Sequence, residues 1–84
     1  MPFYRFNLED HRFIADRGVR ECFDEEHAKE NADEIAEHLV QAEPELTSGG
    51  HAVVVREHDT NRQIYRAEMN RESLESRRRN LRRA

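Results

Sequence analysis

The sequence predicts an α+β fold, a small antiparallel sheet in β-β-α-β-β order with one helix packed on one face. Three observations support this fold: an alternating aromatic segment near the N-terminus, one long apolar stripe at helical spacing, and two strand-like segments separated by a turn near the C-terminus. The 84 residues leave room for one domain, which we assign to residues 1–69. Residues 70–84 form a basic tail outside it.

The first hairpin is indicated by alternating side chains. In residues 4–8, YRFNL, the apolar residues occupy every second position, which is typical of a half-buried strand. The following EDHR indicates a turn. The next segment, RFIADRGVRE, predicts a short second strand that is broken at Gly18.

The middle of the chain predicts a helix that begins after Asp24 and ends before Pro44. Asp24 is a suitable N-cap, because its carboxylate can accept from the free amides of the first turn. Pro44 stops the helix, because the residue before a proline avoids helical geometry. Phe23 is placed to fold back onto Ala28 as a hydrophobic staple. Apolar residues recur at three- and four-residue spacing along one face, namely Ala28, Ala32, Ile35, Ala36, Leu39 and Val40.

The second hairpin follows the loop LTSGG. HAVVVREH and QIYRAEM predict the third and fourth strands, and DTNR between them has the composition of a tight turn. In the tail, Leu74 and Leu81 are the large apolar residues, and two leucines cannot hold a helix on their own. We therefore expect a frayed helix or disorder over residues 70–84.

Charge divides the chain into two parts. Residues 1–70 hold 16 acidic and 8 basic residues, whereas residues 71–84 hold two glutamates and six arginines, and the net charge is −4. Cys22 is the single cysteine, so no internal disulfide can form, which is typical of a reducing compartment. The N-terminus lacks the apolar run of a signal peptide, and no segment approaches the roughly 20 apolar residues of a membrane span. We expect a cytoplasmic protein that needs no cofactor.

The opening MPFYRFNL and the late segment VVVREHDTNRQIYRAE resemble a family of small uncharacterised alphaproteobacterial proteins, catalogued as domain of unknown function 6894. The resemblance covers about residues 1–69. The chain departs from the family pattern where Cys22 and Phe23 replace a leucine–proline pair, and where Asn61 takes the left-handed turn position of a glycine. The resemblance implies the order of elements given above and a bacterial cytoplasmic setting, and it implies no activity. Further matching residues are Tyr4, Phe6, Asp16, Gly18, Val19, Glu21 and Asp24.

Two acidic turns are candidate metal-binding or acid–base sites. Glu9–His11 follows the first strand and Glu57–Asp59 follows the third. If these strands ran parallel side by side, their carboxylates and imidazoles would meet at one sheet edge and could bind a divalent metal or act in acid–base catalysis. The alternative is that these are ordinary turn residues, because they lack the tight spacing of specific metal motifs. The candidate metal ligands are Asp10, His11, His58 and Asp59.

The tail suggests another alternative function, that of a nucleic-acid-associated regulator. Arginines contact phosphates and release counterions from nucleic acid. However, the tail has no aromatic residue to stack on bases, and the acidic body repels phosphate. A solvated end, or pairing of the arginines with the acidic helix, is therefore left open. The candidate phosphate-binding residues are Arg77, Arg78, Arg79, Arg82 and Arg83.

The face of the sheet away from the helix is the candidate protein interface. Phe3, Val54 and either Ile64 or Tyr65 are expected there; we select Tyr65. An exposed apolar face is often closed by a second copy of the chain, which suggests a homodimer through the sheet face or an edge strand. We favour a non-catalytic protein-interaction module, with a homodimer as its suggested assembly, over a metal-dependent enzyme or a nucleic-acid-binding protein.

Overall fold

The computed structural model describes residues 2–10 and 14–82, with side chains described up to Arg77. These residues form four strands, two α-helices and a 3-10 turn. In chain order they are β1 (Phe3–Glu9), β2 (Ile14–Glu21), α1 (Glu25–Ala42), the 3-10 turn (Pro44–Thr47), β3 (Ala52–Glu57), β4 (Gln63–Glu68) and α2 (Arg71–Arg82).

The strands form one antiparallel sheet in the order β2-β1-β3-β4, which confirms the predicted α+β class. β1 and β3 are the central strands, with Tyr4 opposite Glu57 and Glu9 opposite Ala52. Helix α1 packs on β3 and β4, and α2 contacts β4. The helices therefore lie over the β4 side of the sheet and leave the β2 side less covered.

Apolar side chains on one face of the sheet form a core beneath α1, and we call this the helix-side face and the opposite one the outer face. Tyr4 and Phe6 of β1 point to the helix-side face, as do Val53 and Val55 of β3, because alternate residues of a strand point to opposite faces. Fully burying a side chain such as Phe6 contributes roughly 1.5–3 kcal/mol to stability. The remaining buried core residues are Cys22, Ala28, Ala32, Ile35, Ala36, Ala67 and Met69.

Helix α1 begins where the sequence predicts. Asp24 has extended backbone, and its carboxylate accepts the N–H of His27 at 2.9 Å, so the predicted N-cap is confirmed. The expected staple of Phe23 on Ala28 is wrong. Phe23 is 70% exposed and its ring lies 5.1 Å from the ring of His27. The backbone N–H of Phe23 donates to His27 Nδ1, so both the backbone and the ring of Phe23 contact His27 outside the core.

Two turns use left-handed backbone. Asn61, between β3 and β4, has a φ of 61°, which confirms the geometry predicted for it; asparagine tolerates this region better than most residues. Gly49 has a φ of +90°, and a Cβ there would lie 3.3 Å from the ring of His51. Glycine is therefore favoured at position 49 by both backbone geometry and space.

Strand β4 contains an extra residue. Val55 pairs with Tyr65, whereas Arg56 pairs with Gln63, so Ile64 has no partner of its own across the ladder. Such a bulge changes which face the neighbouring side chains occupy. As a result Tyr65 lies on the helix-side face, where it packs against the core.

The tail differs from the frayed or disordered end expected for residues 70–84, because α2 is a helix. The side chain of Asn70 caps its first turn. Leu74 is only 3% exposed, and Arg77 donates to the backbone carbonyl of Glu68 at 2.7 Å. These tertiary contacts supply the stability that an isolated helix of this length lacks.

Candidate protein-interaction site

Strand β2 is an open edge of the sheet. One side of it pairs with β1, and no described element pairs with the other side. Seven of its eight residues are exposed, including the apolar Ile14 at 62% and Val19 at 38%. A strand with unpaired backbone groups is a template for pairing with another strand.

The exposed apolar side chains of β2 share the outer face. Val19 lies opposite Arg5 and Ile14 lies opposite Glu9, and both partners are outer-face residues of β1. Phe3, 50% exposed, belongs to the same face. The outer face thus has its exposed apolar residues on β2 and at the start of β1.

A bulge shapes the middle of β2. The pairing of β1 with β2 shifts by one residue between Arg5 and Asn7, and Gly18 has a φ of 101°. Asp16 fixes this geometry, since its Oδ1 accepts the N–H of Gly18 at 2.7 Å and its Oδ2 pairs with Arg5 at 2.6 Å. Bulges restrain indiscriminate edge pairing, and this one interrupts the regular ladder in the middle of β2.

The outer face of the central strands is not the apolar interface that the sequence suggests. Val54 has no exposed surface. It lies between Asn7 and Arg66 on the neighbouring strands, and long charged side chains cover apolar atoms beside them. Tyr65 lies on the helix-side face because of the β4 bulge. Of the three predicted interface residues, Phe3 alone is exposed on the outer face.

A groove of about 310 Å³ lies between β2 and α1 on the helix-side face. Arg20 of β2 forms part of its wall: the guanidinium lies 5.7 Å from the centre of the Phe6 ring and donates to Asn31 of α1. Arg17 is exposed, and its side chain has no ion-pair partner in the described part of the chain. The lining residues are Arg17, Arg20, Ile35, His38, Leu39 and Ala42.

Asp33, Tyr65 and Arg77 join α1, β4 and α2 in one polar cluster. The Tyr65 hydroxyl donates to Asp33 Oδ1 at 2.8 Å, and Arg77 Nε lies 3.2 Å from the same oxygen. Burial raises the pKa of Asp33, while Tyr65 and Arg77 act to lower it. Burial and the Asp33 carboxylate raise the pKa of Tyr65 to about 12. These contacts attach α2 to α1 and β4.

The raised pKa of Tyr65 predicts a loss of stability in alkali. The folded value is about 12 against the ordinary 10.0, so the unfolded chain loses the proton first and the free energy of unfolding falls as the pH rises from 10 toward 12. Because Tyr65 is partly exposed, we expect a loss of only about 1 kcal/mol. Urea denaturation over this pH range should show a smaller loss of unfolding free energy in Tyr65→Phe than in the wild-type chain. Some loss should remain in the variant, because burial also raises the pKa of Tyr4. Equal losses in the two proteins would contradict this assignment.

Of the predicted phosphate-binding arginines, Arg77 is the one whose side chain the structure describes. The side chain of Arg77 is 18% exposed and is engaged with Asp33 and the carbonyl of Glu68. It pairs with the acidic helix, as the sequence left open, and is not available to phosphate in this arrangement. Arg83 lies outside the described residues. The backbone of α2 includes Arg78, Arg79 and Arg82, whose side chains lie outside the described part.

The two acidic turns do not converge, because β1 and β3 run antiparallel. His58 lies beside Phe3 at one end of the ladder, with Asp59 next to it, and Asp10 lies at the other end, seven residues along the strand and about 23 Å away. Asp10 Oδ2 instead lies 3.5 Å from His51 Nε2, and His11 is outside the described residues. Within residues 2–10 and 14–82, no cluster of three or more His, Cys, Asp or Glu side chains is placed to hold a metal ion.

No helix among the described residues is long and apolar enough to cross a membrane. Comparison of the chain with protein-family models, with curated proteins and with solved structures found no match. The resemblance to the alphaproteobacterial family therefore stays a prediction, and the site is interpreted from its geometry.

Proposed function

We propose that this protein is a non-catalytic protein-interaction module that forms a homodimer through β2. The observation that carries the proposal is the open edge, with seven of eight residues exposed and with Ile14 and Val19 on the outer face. A second copy of β2, running antiparallel to the first, joins the two four-stranded sheets into one. This pairing removes an unpaired edge from both copies.

Charge favours a second copy at this edge. The whole chain carries −4, whereas β2 has two arginines and two acids and is neutral, so two acidic chains can meet there with little repulsion. A two-fold axis between positions 17 and 18 sets Ile14 of one copy diagonally beside Val19 of the other, within reach across paired strands. The charged residues of β2 are Asp16, Arg17, Arg20 and Glu21.

The described charge clusters support a non-catalytic role, because their charges hold elements of the fold together. Arg56 of β3 pairs with Glu9 of β1 at 2.6 Å. Arg62, in the turn before β4, pairs with Glu25 of α1 at 3.0 Å. The Asp33 cluster likewise joins α1 to β4 and α2.

The cysteine supports a cytoplasmic location for the module. Cys22 is a free thiol with no exposed surface. Burial raises its pKa, although Arg20 acts to lower it, and a buried thiol of raised pKa is unreactive. A small domain that carries such a thiol and is held together by its core suits a reducing compartment.

Sedimentation equilibrium over a range of concentrations tests the homodimer. We expect a dissociation constant of about 1–100 μM, because one pair of strand edges buries less area than a standard interface. The double variant Ile14→Glu, Val19→Glu should raise this constant at least about tenfold, since in this register it places carboxylates opposite Glu21 and Asp16 of the second copy.

Phe23→Glu is the matched control, because Phe23 is exposed and apolar but lies outside β2. This variant should leave the dissociation constant unchanged. A wild-type chain that stays monomeric up to about 1 mM, or a dimer that survives the double variant, would contradict the proposed contact.

A further inference from the structure

We infer that the groove between β2 and α1 is a binding site for an acidic peptide segment that carries a large apolar side chain. The groove lies on the helix-side face, whereas the apolar residues Ile14 and Val19 of the proposed dimer contact lie on the outer face. The site therefore goes beyond the proposed function and does not depend on the dimer.

One wall of the groove is apolar and comes from α1. Ile35 and Leu39 are one helical turn apart, and Ala42 continues the wall toward the end of the helix. Phe6 lies beneath Arg20 at the same side of the sheet. The volume of about 310 Å³ is at the lower end of that of ligand pockets, which suits one or two side chains of a peptide.

The other wall is basic and comes from β2. Arg17 and Arg20 both line the groove, and His38 faces them from α1. Helix α1 has six acidic residues, yet none of them is among the lining residues. Arg17 offers a guanidinium with no ion-pair partner in the described chain, and guanidinium groups bind carboxylates in bidentate fashion. The groove is thus a local cationic site on a chain of net charge −4.

Other occupants fit the groove less well. The basic tail of a second copy would bring its arginines against Arg17 and Arg20, which is repulsive. A nucleic acid offers phosphates to the arginines, but its backbone offers no apolar side chain for the wall formed by Ile35 and Leu39. An acidic peptide with a phenylalanine or leucine satisfies both walls.

The test is an amide-resolved NMR titration of the full chain with the synthetic peptide Asp-Glu-Phe-Leu-Glu-Asp. We expect saturable shifts confined to β2 and to the C-terminal half of α1. Three comparison ligands are a peptide with serines in place of Phe and Leu, a peptide with lysines in place of the acids, and a short mixed-sequence DNA duplex. We expect none of the three to give saturable shifts in the groove.

Two variants and one control locate the site. Arg17→Glu should weaken peptide binding at least about fivefold, because it replaces attraction by repulsion, and Ala42→Trp should weaken it by filling the groove. Arg71→Glu, an exposed change of the same charge in the first turn of α2, should leave binding unchanged. The inference is overturned if the peptide gives no saturable shifts, if the serine peptide or the duplex binds the groove equally well, or if Arg71→Glu weakens binding as much as Arg17→Glu.

Peptide binding can be tested separately from dimer formation. The titration is repeated in the double variant Ile14→Glu, Val19→Glu, whose substitutions lie on the outer face. Peptide binding that persists in this background supports the groove even if the homodimer is absent. Peptide binding that disappears in this background overturns the claim that the groove acts alone, whatever sedimentation shows about the dimer.

Discussion

Phe6→Ala is expected to lower the free energy of unfolding by about 3–5 kcal/mol. The ring has no exposed surface, lies opposite Val55 in the central pair of strands, and has the guanidinium of Arg20 above it. Its removal leaves a cavity that the buried alanines of α1 are too small to fill. Because a domain of this size has a total stability of roughly 3–5 kcal/mol, urea denaturation followed by circular dichroism should find much of the variant unfolded without denaturant.

Phe3→Ala is the matched control, the same substitution on the same strand. Phe3 is 50% exposed on the outer face, so the expected loss is less than about 1 kcal/mol. Equal losses for the two variants would show that the core does not lie on the helix-side face of β1.

Arg77→Ala is expected to release α2 from the domain, at a cost of about 1–3 kcal/mol. The change removes the guanidinium from Asp33 Oδ1 and the donor from the carbonyl of Glu68. It also leaves Leu74 as the main remaining contact of the helix. Hydrogen exchange should show that amides 74–77 lose their protection while those of β1 and β3 keep theirs.

The same variant should change the environment of Asp33, because burial raises the pKa of this carboxyl group and Arg77 acts to lower it. Carboxyl chemical shifts measured against pH can follow this change. Arg71→Ala is the control, since Arg71 is exposed at the start of the same helix. If amides 74–77 stay protected in Arg77→Ala, the Asp33 cluster does not hold the tail.

Local patterns predicted those parts of the fold that depend on neighbouring residues. The alternation in β1 placed Tyr4 and Phe6 on the buried face, and the carboxylate of Asp24 marked the start of α1. The composition of DTNR marked the turn between β3 and β4, while the left-handed position of Asn61 within it was implied by the family resemblance. Each of these features depends on a few consecutive residues, so it is visible without knowledge of the tertiary contacts.

Features that depend on distant residues were missed or wrong. The extra residue in β4 reversed the face of Tyr65, and a simple alternation cannot reveal a bulge. Val54 is buried between Asn7 and Arg66 on the two neighbouring strands, so its β-branched side chain did not mark an exposed patch. The docking of α2 required Asp33, which lies beside the apolar stripe of α1. The sequence did hold one indication of this contact. Asp33 lies at the edge of the apolar stripe of α1, and an arginine-rich segment that could pair with it follows later in the chain.

The candidate site was less predictable than the fold. The residues of β2 were predicted to form a strand of the first hairpin. The order of the strands in the sheet was not predicted, so neither the central position of β1 and β3 nor the edge position of β2 was expected. The groove also follows from tertiary placement, because α1 packs on β3 and β4 and leaves a gap beside β2 that Arg17 and Arg20 line. Edge and groove both arise from the order of the strands, which alternation along one strand does not specify.

The most direct test of the β2 contact is hydrogen exchange of the β2 amides, measured at high and at low protein concentration. Pairing with a second copy predicts that alternate amides of Ile14–Glu21 exchange slowly at high concentration and faster on dilution, while the amides of the central strands β1 and β3 stay unchanged. If all the β2 amides on the unpaired side exchange rapidly at every concentration, even where sedimentation finds a dimer, the edge is not the interface.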